Sequence, residues 1–167
     1  MKKIFFISIL FVALFLNLRE IDASESSGGT QVNGIITSDV TWTKVGSPYT
    51  LVGNVQIGGK LKVEPGTVIL GNSHSLTVFG EVNAEGEAFK KINIMNLIIN
   101  AGNNKSQSGT IKISNSNLIN CQFSNYSNGY LQVKDSWIDD SMSYLYYQKH
   151  YIGYSSFEKN IFTYGRP

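Results

Sequence analysis

The 167 residues include a single cysteine, Cys121, three prolines and two histidines. One thiol cannot close an internal disulfide, so stability must come from packing and backbone hydrogen bonds. His74 lies in the polar stretch GNSHS and His150 in QKHY, neither with an acidic or cysteine neighbour in sequence. Metal sites want clustered ligands, so neither a metal centre nor a cofactor is expected. Charge of one sign is scarce too. The formal net charge is +2, which makes no electrostatic case for nucleic acid or for an acidic membrane surface. Helix signals nearly vanish after residue 30, where Ala and Leu are sparse and Gly, Asn, Ser, Thr, Ile, Val and Tyr dominate. The chain is expected to be all-β.

Long apolar runs are absent except at the start. Lys2 and Lys3 precede an uncharged run from Ile4 to Leu18, and Ala23 follows as a small residue at a plausible cleavage point. A positive start, a short apolar core and a small residue make a secretory signal. Residues 1–23 are therefore read as a signal peptide, 24–33 as a linker and 34–167 as one domain. The expected location is secreted, outside the cell or at its surface, with no stable membrane span after cleavage.

What the remainder does have is recurrence. LKV at 61, LTV at 76, INI at 92, IKI at 111 and LQV at 131 each read apolar, polar, apolar. On a strand that pattern puts the first and third side chains on one face. The spacing settles near twenty residues, as in a solenoid whose coils bury little alone and gain stability by stacking. The predicted inward ladder is Leu61, Val63, Leu76, Val78, Ile92, Ile94, Ile111, Ile113, Leu131 and Val133. NLINCQF (117–123), SWIDDSM (136–142) and SFEKNIF (156–162) can also be laid over one another. That register puts Leu118, Trp137 and Phe157 at one position, Phe123, Met142 and Phe162 at a second, and Cys121, Asp140 and Asn160 at a small polar third. Leucine-rich repeats need a Leu and Asn consensus that is missing, and propeller blades are longer. Glu64-Pro65-Gly66 then becomes a corner between two faces of one coil, Pro fixing one dihedral and Gly permitting the next.

From Asn33 to Leu70 the sequence runs NGIITSDVTWTKVGSPYTLVGNVQIGGKLKVEPGTVIL. Gly34 to Ile36, Trp42, Ser47-Pro48-Tyr49 and Leu61 to Gly66 follow one another as in the opening coils of secreted bacterial right-handed parallel β-helix proteins, and the chain resembles the pectate-lyase-like superfamily. The resemblance implies a right-handed parallel β-helix, and the repeat spacing gives it about seven short coils. It constrains function weakly, because one scaffold carries many activities.

Lyases of that kind would hold calcium with carboxylates and use a basic residue, often Arg, to take a proton. The middle residues of the triplets are Lys62, Thr77, Asn93, Lys112 and Gln132, with no carboxylate among them, and calcium favours several oxygen ligands. After the signal the only Arg is Arg166. A glycoside hydrolase would need carboxylates set across a cleft. Asp135 with Asp139 and Asp139 with Glu158 are the candidate pairs, and neither is expected to stand on several successive coils. No catalytic residue is assigned. Cys121 reads as a buried packing thiol, since a nucleophile would need a base and an orienting group.

The candidate ligand-binding residues are Lys62, Lys112, Tyr144, Tyr146, Tyr147 and Tyr151. Tyrosine presents an apolar ring with a polar tip, suited to stacking a sugar or meeting a protein; the alternative is that these rings cap the last coils. The functional expectation is an exported, non-catalytic binding or structural module for polysaccharide or a surface partner protein, with self-association through the open C-terminal coil. Its rivals are an extracellular polysaccharide lyase or hydrolase, and a truncated adhesin.

Overall fold

The computed structural model describes residues 28–103, 107–126, 129–139 and 154–163. All regular structure among them is β: β1 (Thr30–Ile36), β2 (Val40–Trp42), β3 (Tyr49–Ile57), β4 (Lys60–Val63), β5 (Val68–Leu70), β6 (Ser75–Val78), β7 (Glu81–Glu85), β8 (Ile92–Met95), β9 (Ile98–Ala101), β10 (Thr110–Ser114), β11 (Ser116–Ile119), β12 (Gln122–Asn125), β13 (Tyr130–Lys134), β14 (Trp137–Asp139), β15 (Tyr154–Glu158) and β16 (Ile161–Thr163).

Strands pair in parallel with the strand three places on through the middle of the described chain and two places on towards its ends, so the chain winds as a three-faced β-solenoid of about five turns rather than seven. Face 1 is the sheet β2, β4, β7, β10, β13 and β15. Face 2 runs from the start of β3 through β5, β8, β11, β14 and β16, and face 3 from the end of β3 through β6, β9 and β12. The long β3 bends across both, and β1 lies along its whole length with a register shift between Val32 and Gly34.

On face 1 the register stacks Val40, Leu61, Val82, Ile111 and Leu131 in one inward column, and Trp42, Val63, Ala84, Ile113 and Val133 in the other. Face 2 contributes Tyr49, Ile69, Ile94, Leu118 and Ile138; face 3 contributes Val55, Leu76, Ile99 and Phe123. Apart from Val40, which is partly buried against them, these side chains form one buried core. Each coil removes its own apolar residues from water by lying on the next, as the recurrence predicts. Trp42 and Tyr49 stack with centroids 4.8 Å apart.

All ten residues of the predicted ladder are buried, but they do not form one ladder. LKV, IKI and LQV lie on face 1, INI on face 2 and LTV on face 3; the missing members of face 1 are VTW (40–42) and VNA (82–84). The second alignment is overturned as well. Leu118 pairs with Ile138, not Trp137, and Phe157 belongs to face 1 beside Val133. Phe123 lies on face 3 and Phe162 on face 2. Cys121 and Asn160 sit at different corners, Asn160 stacking beneath Ser136 and Ser116. A strand alternates faces every residue, so a one-residue slip turns the whole pattern inside out. Met142 and Asp140 lie outside the described residues, as do residues 1–27.

The corners follow the expected chemistry. Glu64-Pro65-Gly66 joins β4 to β5, with φ of 82° at Gly66 and the Thr67 amide donating to the Glu64 carbonyl at 3.2 Å. That is the turn Pro-Gly favours. Between faces 1 and 2, Asn115 and Asp135 take positive φ, and between faces 2 and 3 Asn96 and Asn120 do. Asn and Asp tolerate that region better than other residues with a Cβ.

Candidate functional site

Outward residues of face 1 form a row in continuous register: Thr41, Lys62, Asn83, Lys112, Gln132 and Ser156. Lys62 and Lys112 therefore share the row, two strand spacings or about 10 Å apart along the solenoid axis. Asn83 lies between them, and its Oδ1 is buried without a hydrogen-bond partner among the described residues. A buried, unpaired amide oxygen is costly.

Beside this row runs another, Glu85, Ser114, Lys134 and Glu158. Where the two rows meet the corner after β13, Glu85, Lys112, Ser114, Gln132, Lys134 and Asp135 line a cleft of about 300 Å³. Asp135 takes a left-handed φ of 50° there, and its carboxylate lies 3.9 Å from the Lys134 ammonium. Both groups of that pair are part exposed, so water screens their attraction. Glu85 ends β7 and Asp135 follows β13, two strand spacings away, about 10 Å at the backbone. The arrangement offers two carboxylates and two ammonium groups to whatever enters.

Sequence reasoning placed Lys112 on this face, did not single out Glu85 or Lys134, and weighed Asp135 only with Asp139. Asp139 lies on face 2 in register with Ile119. The signal that could have found Glu85 was VNA, whose small Ala84 makes it a weak triplet. Tyr144, Tyr146, Tyr147 and Tyr151 lie outside the described residues.

Cys121 is buried at the corner between faces 2 and 3, with Sγ 3.5 Å from the carbonyl oxygens of Ile94 and Ile119. Burial pushes its thiol up to about 11, an effect that backbone hydrogen bonds at Leu97 and Ile119 only partly offset. Among the described residues no group of three or more His, Cys, Asp or Glu could hold a metal ion, and no helix is long and apolar enough to cross a membrane. Compared with known proteins, the chain matches no family model, no curated protein and no solved structure.

Proposed function

We propose that this chain is an exported, non-catalytic β-helix of the pectate-lyase-like kind that works outside the cell or at its surface as a binding module for polysaccharide. The observation that carries this reading is the face 1 row, in which Lys62, Asn83, Lys112 and Gln132 repeat in register along a straight axis. A polymer with its own regular repeat can meet such a row at several points at once, and weak contacts then add. The signal-like layout of residues 1–23 supports export.

The test is a glycan array with the wild-type chain and with Lys62→Glu/Lys112→Glu. Binding that the double variant loses supports the reading; binding that it leaves unchanged removes the row from it.

One observation favours a second reading, an extracellular lyase or hydrolase: Glu85 and Asp135 face one cleft with Lys112 and Lys134. Incubating retained glycans with the chain and assaying new reducing ends and unsaturated products decides between them. Cleavage lost in Glu85→Gln and Asp135→Asn would establish the enzyme.

A further inference from the structure

Three consecutive corners between faces 1 and 2 form a single edge. The first is the loop from Thr43 to Pro48, the second Glu64-Pro65-Gly66, and the third the loop 86–91, closed by backbone hydrogen bonds between Glu87 and Lys90. The Lys44 stem lies over Gly66, close enough that a Cβ there would stand 3.3 Å from its Cδ. Lys44, Gly66, Phe89, Lys90 and Lys91 line one cleft of about 420 Å³. The loops therefore project together.

Two of them end in apolar side chains with no cover. Val45 is 96% exposed and Phe89 101%, so each gains nothing from the fold. Lysines stand beside both tips: Lys44 next to Val45, Lys90 and Lys91 next to Phe89. Lys90 reaches Glu87 at 3.4 Å, whereas Lys44 and Lys91 have no ion-pair partner among the described residues. The whole chain is close to charge balance, and on this edge Glu64 and Glu87 offset two of the three lysines, so the attraction is local to Lys44 and Lys91. Val68 and Leu70 of face 2 line the adjoining depression, and Asn93 and Asn117 follow Val68 in register.

We infer that this edge docks on an anionic lipid surface, with Phe89 and Val45 entering the headgroup boundary and Lys44 and Lys91 meeting lipid phosphates. Aromatic rings are favoured at that depth, and each lysine near an anionic surface adds attraction. An isolated aromatic ring on a protein surface is also what stacks on a sugar. A sugar would use the ring alone, however, and leave the second tip, Val45, without a role. A bilayer is flat, and it accepts both tips together with the cations behind them.

The test uses the full chain with vesicles of phosphatidylcholine, alone or mixed in equal parts with phosphatidylglycerol. The apolar run at residues 4–18 is common to every variant, so differences between variants and a probe at the edge itself are what count. In Phe89→Trp the added emission should shift to the blue with the mixed vesicles and be quenched by lipids brominated on the acyl chain. Lys44→Ala/Lys91→Ala should weaken the vesicle-induced shift of that probe about thirtyfold in lipid concentration. Phe89→Ser/Val45→Ser should reduce sedimentation with mixed vesicles at least about tenfold relative to wild type. These residues are exposed loop positions, so melting temperature should not change. Emission indifferent to vesicles, or binding unaltered by the lysine variants, overturns the proposal. So does a soluble acidic polysaccharide that shifts the emission of the Phe89→Trp variant as far as vesicles do, which would give the edge to a glycan instead.

Discussion

The Ser136 amide donates to Oδ1 of Asn160 at 3.0 Å, and Nδ2 of the same Asn160 side chain donates to the Val133 carbonyl at 2.9 Å. One side chain thus holds two coils together at the corner between faces 1 and 2. One coil earlier, the Ser136 hydroxyl repeats the device with a smaller group, accepting from the Ser116 amide at 3.2 Å and donating to the Lys134 carbonyl at 2.8 Å. Backbone groups at a corner cannot reach a sheet partner, so the side chains supply one.

Asn160→Ala leaves the Ser136 amide and the Val133 carbonyl without those partners. Each lost hydrogen bond at a buried backbone group costs about 1 kcal/mol or more, so a loss of about 2 kcal/mol is expected. Urea unfolding of the variant against wild type measures it. Ser136→Ala should cost a similar amount, since Ser136 is buried and its hydroxyl also makes two bonds.

Gly80 meets the solenoid backbone so closely that a Cβ would collide with the Gly59 carbonyl oxygen one coil away. The same carbonyl accepts from the Glu81 amide, so it cannot swing aside without breaking the ladder. Gly80→Ala is expected to destabilise by about 1–3 kcal/mol through overpacking. A lowered melting temperature with an unaltered β-type circular dichroism spectrum at low temperature is the expected signature.

Cys121 ties stability to alkaline pH. Its thiol ionises near 11 in the folded chain against 9.0 for the ordinary group, so the native state binds that proton more tightly than the unfolded state does. Its contribution to stability is complete below pH 9 and is lost progressively as pH rises from about 9 to 11. At about 1.4 kcal/mol per pH unit, that interval amounts to roughly 3 kcal/mol. Cys121→Ala should flatten this part of the curve while lowering stability at neutral pH slightly. At pH 8 the wild-type thiol should react with a disulfide reagent only as fast as the chain opens.

The corners and the strands were legible in the sequence because each is a local matter. Pro65 and Gly66 announce a turn, and an apolar-polar-apolar triplet announces a half-buried strand whatever surrounds it. Assignment to a face was not legible, because all three faces carry the same alternation. Triplets at 61, 76 and 92 look like successive coils when the first two are faces of one coil and the third belongs to the next. The spacing that would have separated them is disturbed by the loop 86–91 and by the longer sequence interval between β9 and β10. Lys62 and Lys112 were placed on one face correctly because both sit in triplets of that face. Glu85 was missed because the small Ala84 gives its strand so weak an apolar signal.

Trp137 and Ile138 test the register directly. Aligning the late repeats by sequence would bury Trp137, the larger and more conspicuous side chain. In the fold Trp137 is 46% exposed and Ile138 only 3%, with Ile138 stacked in register on Leu118. Ile138→Ala should then cost about 2–5 kcal/mol, the usual range for emptying a core isoleucine site. Trp137→Ala should cost less than Ile138→Ala, because Trp137 leaves no core cavity and nearly half of the residue is already in water. Chemical denaturation of the two variants side by side gives the comparison. The opposite ranking would mean that β14 is one residue out of register, and every outward residue of face 2 beyond Ile119 would then have to be reassigned.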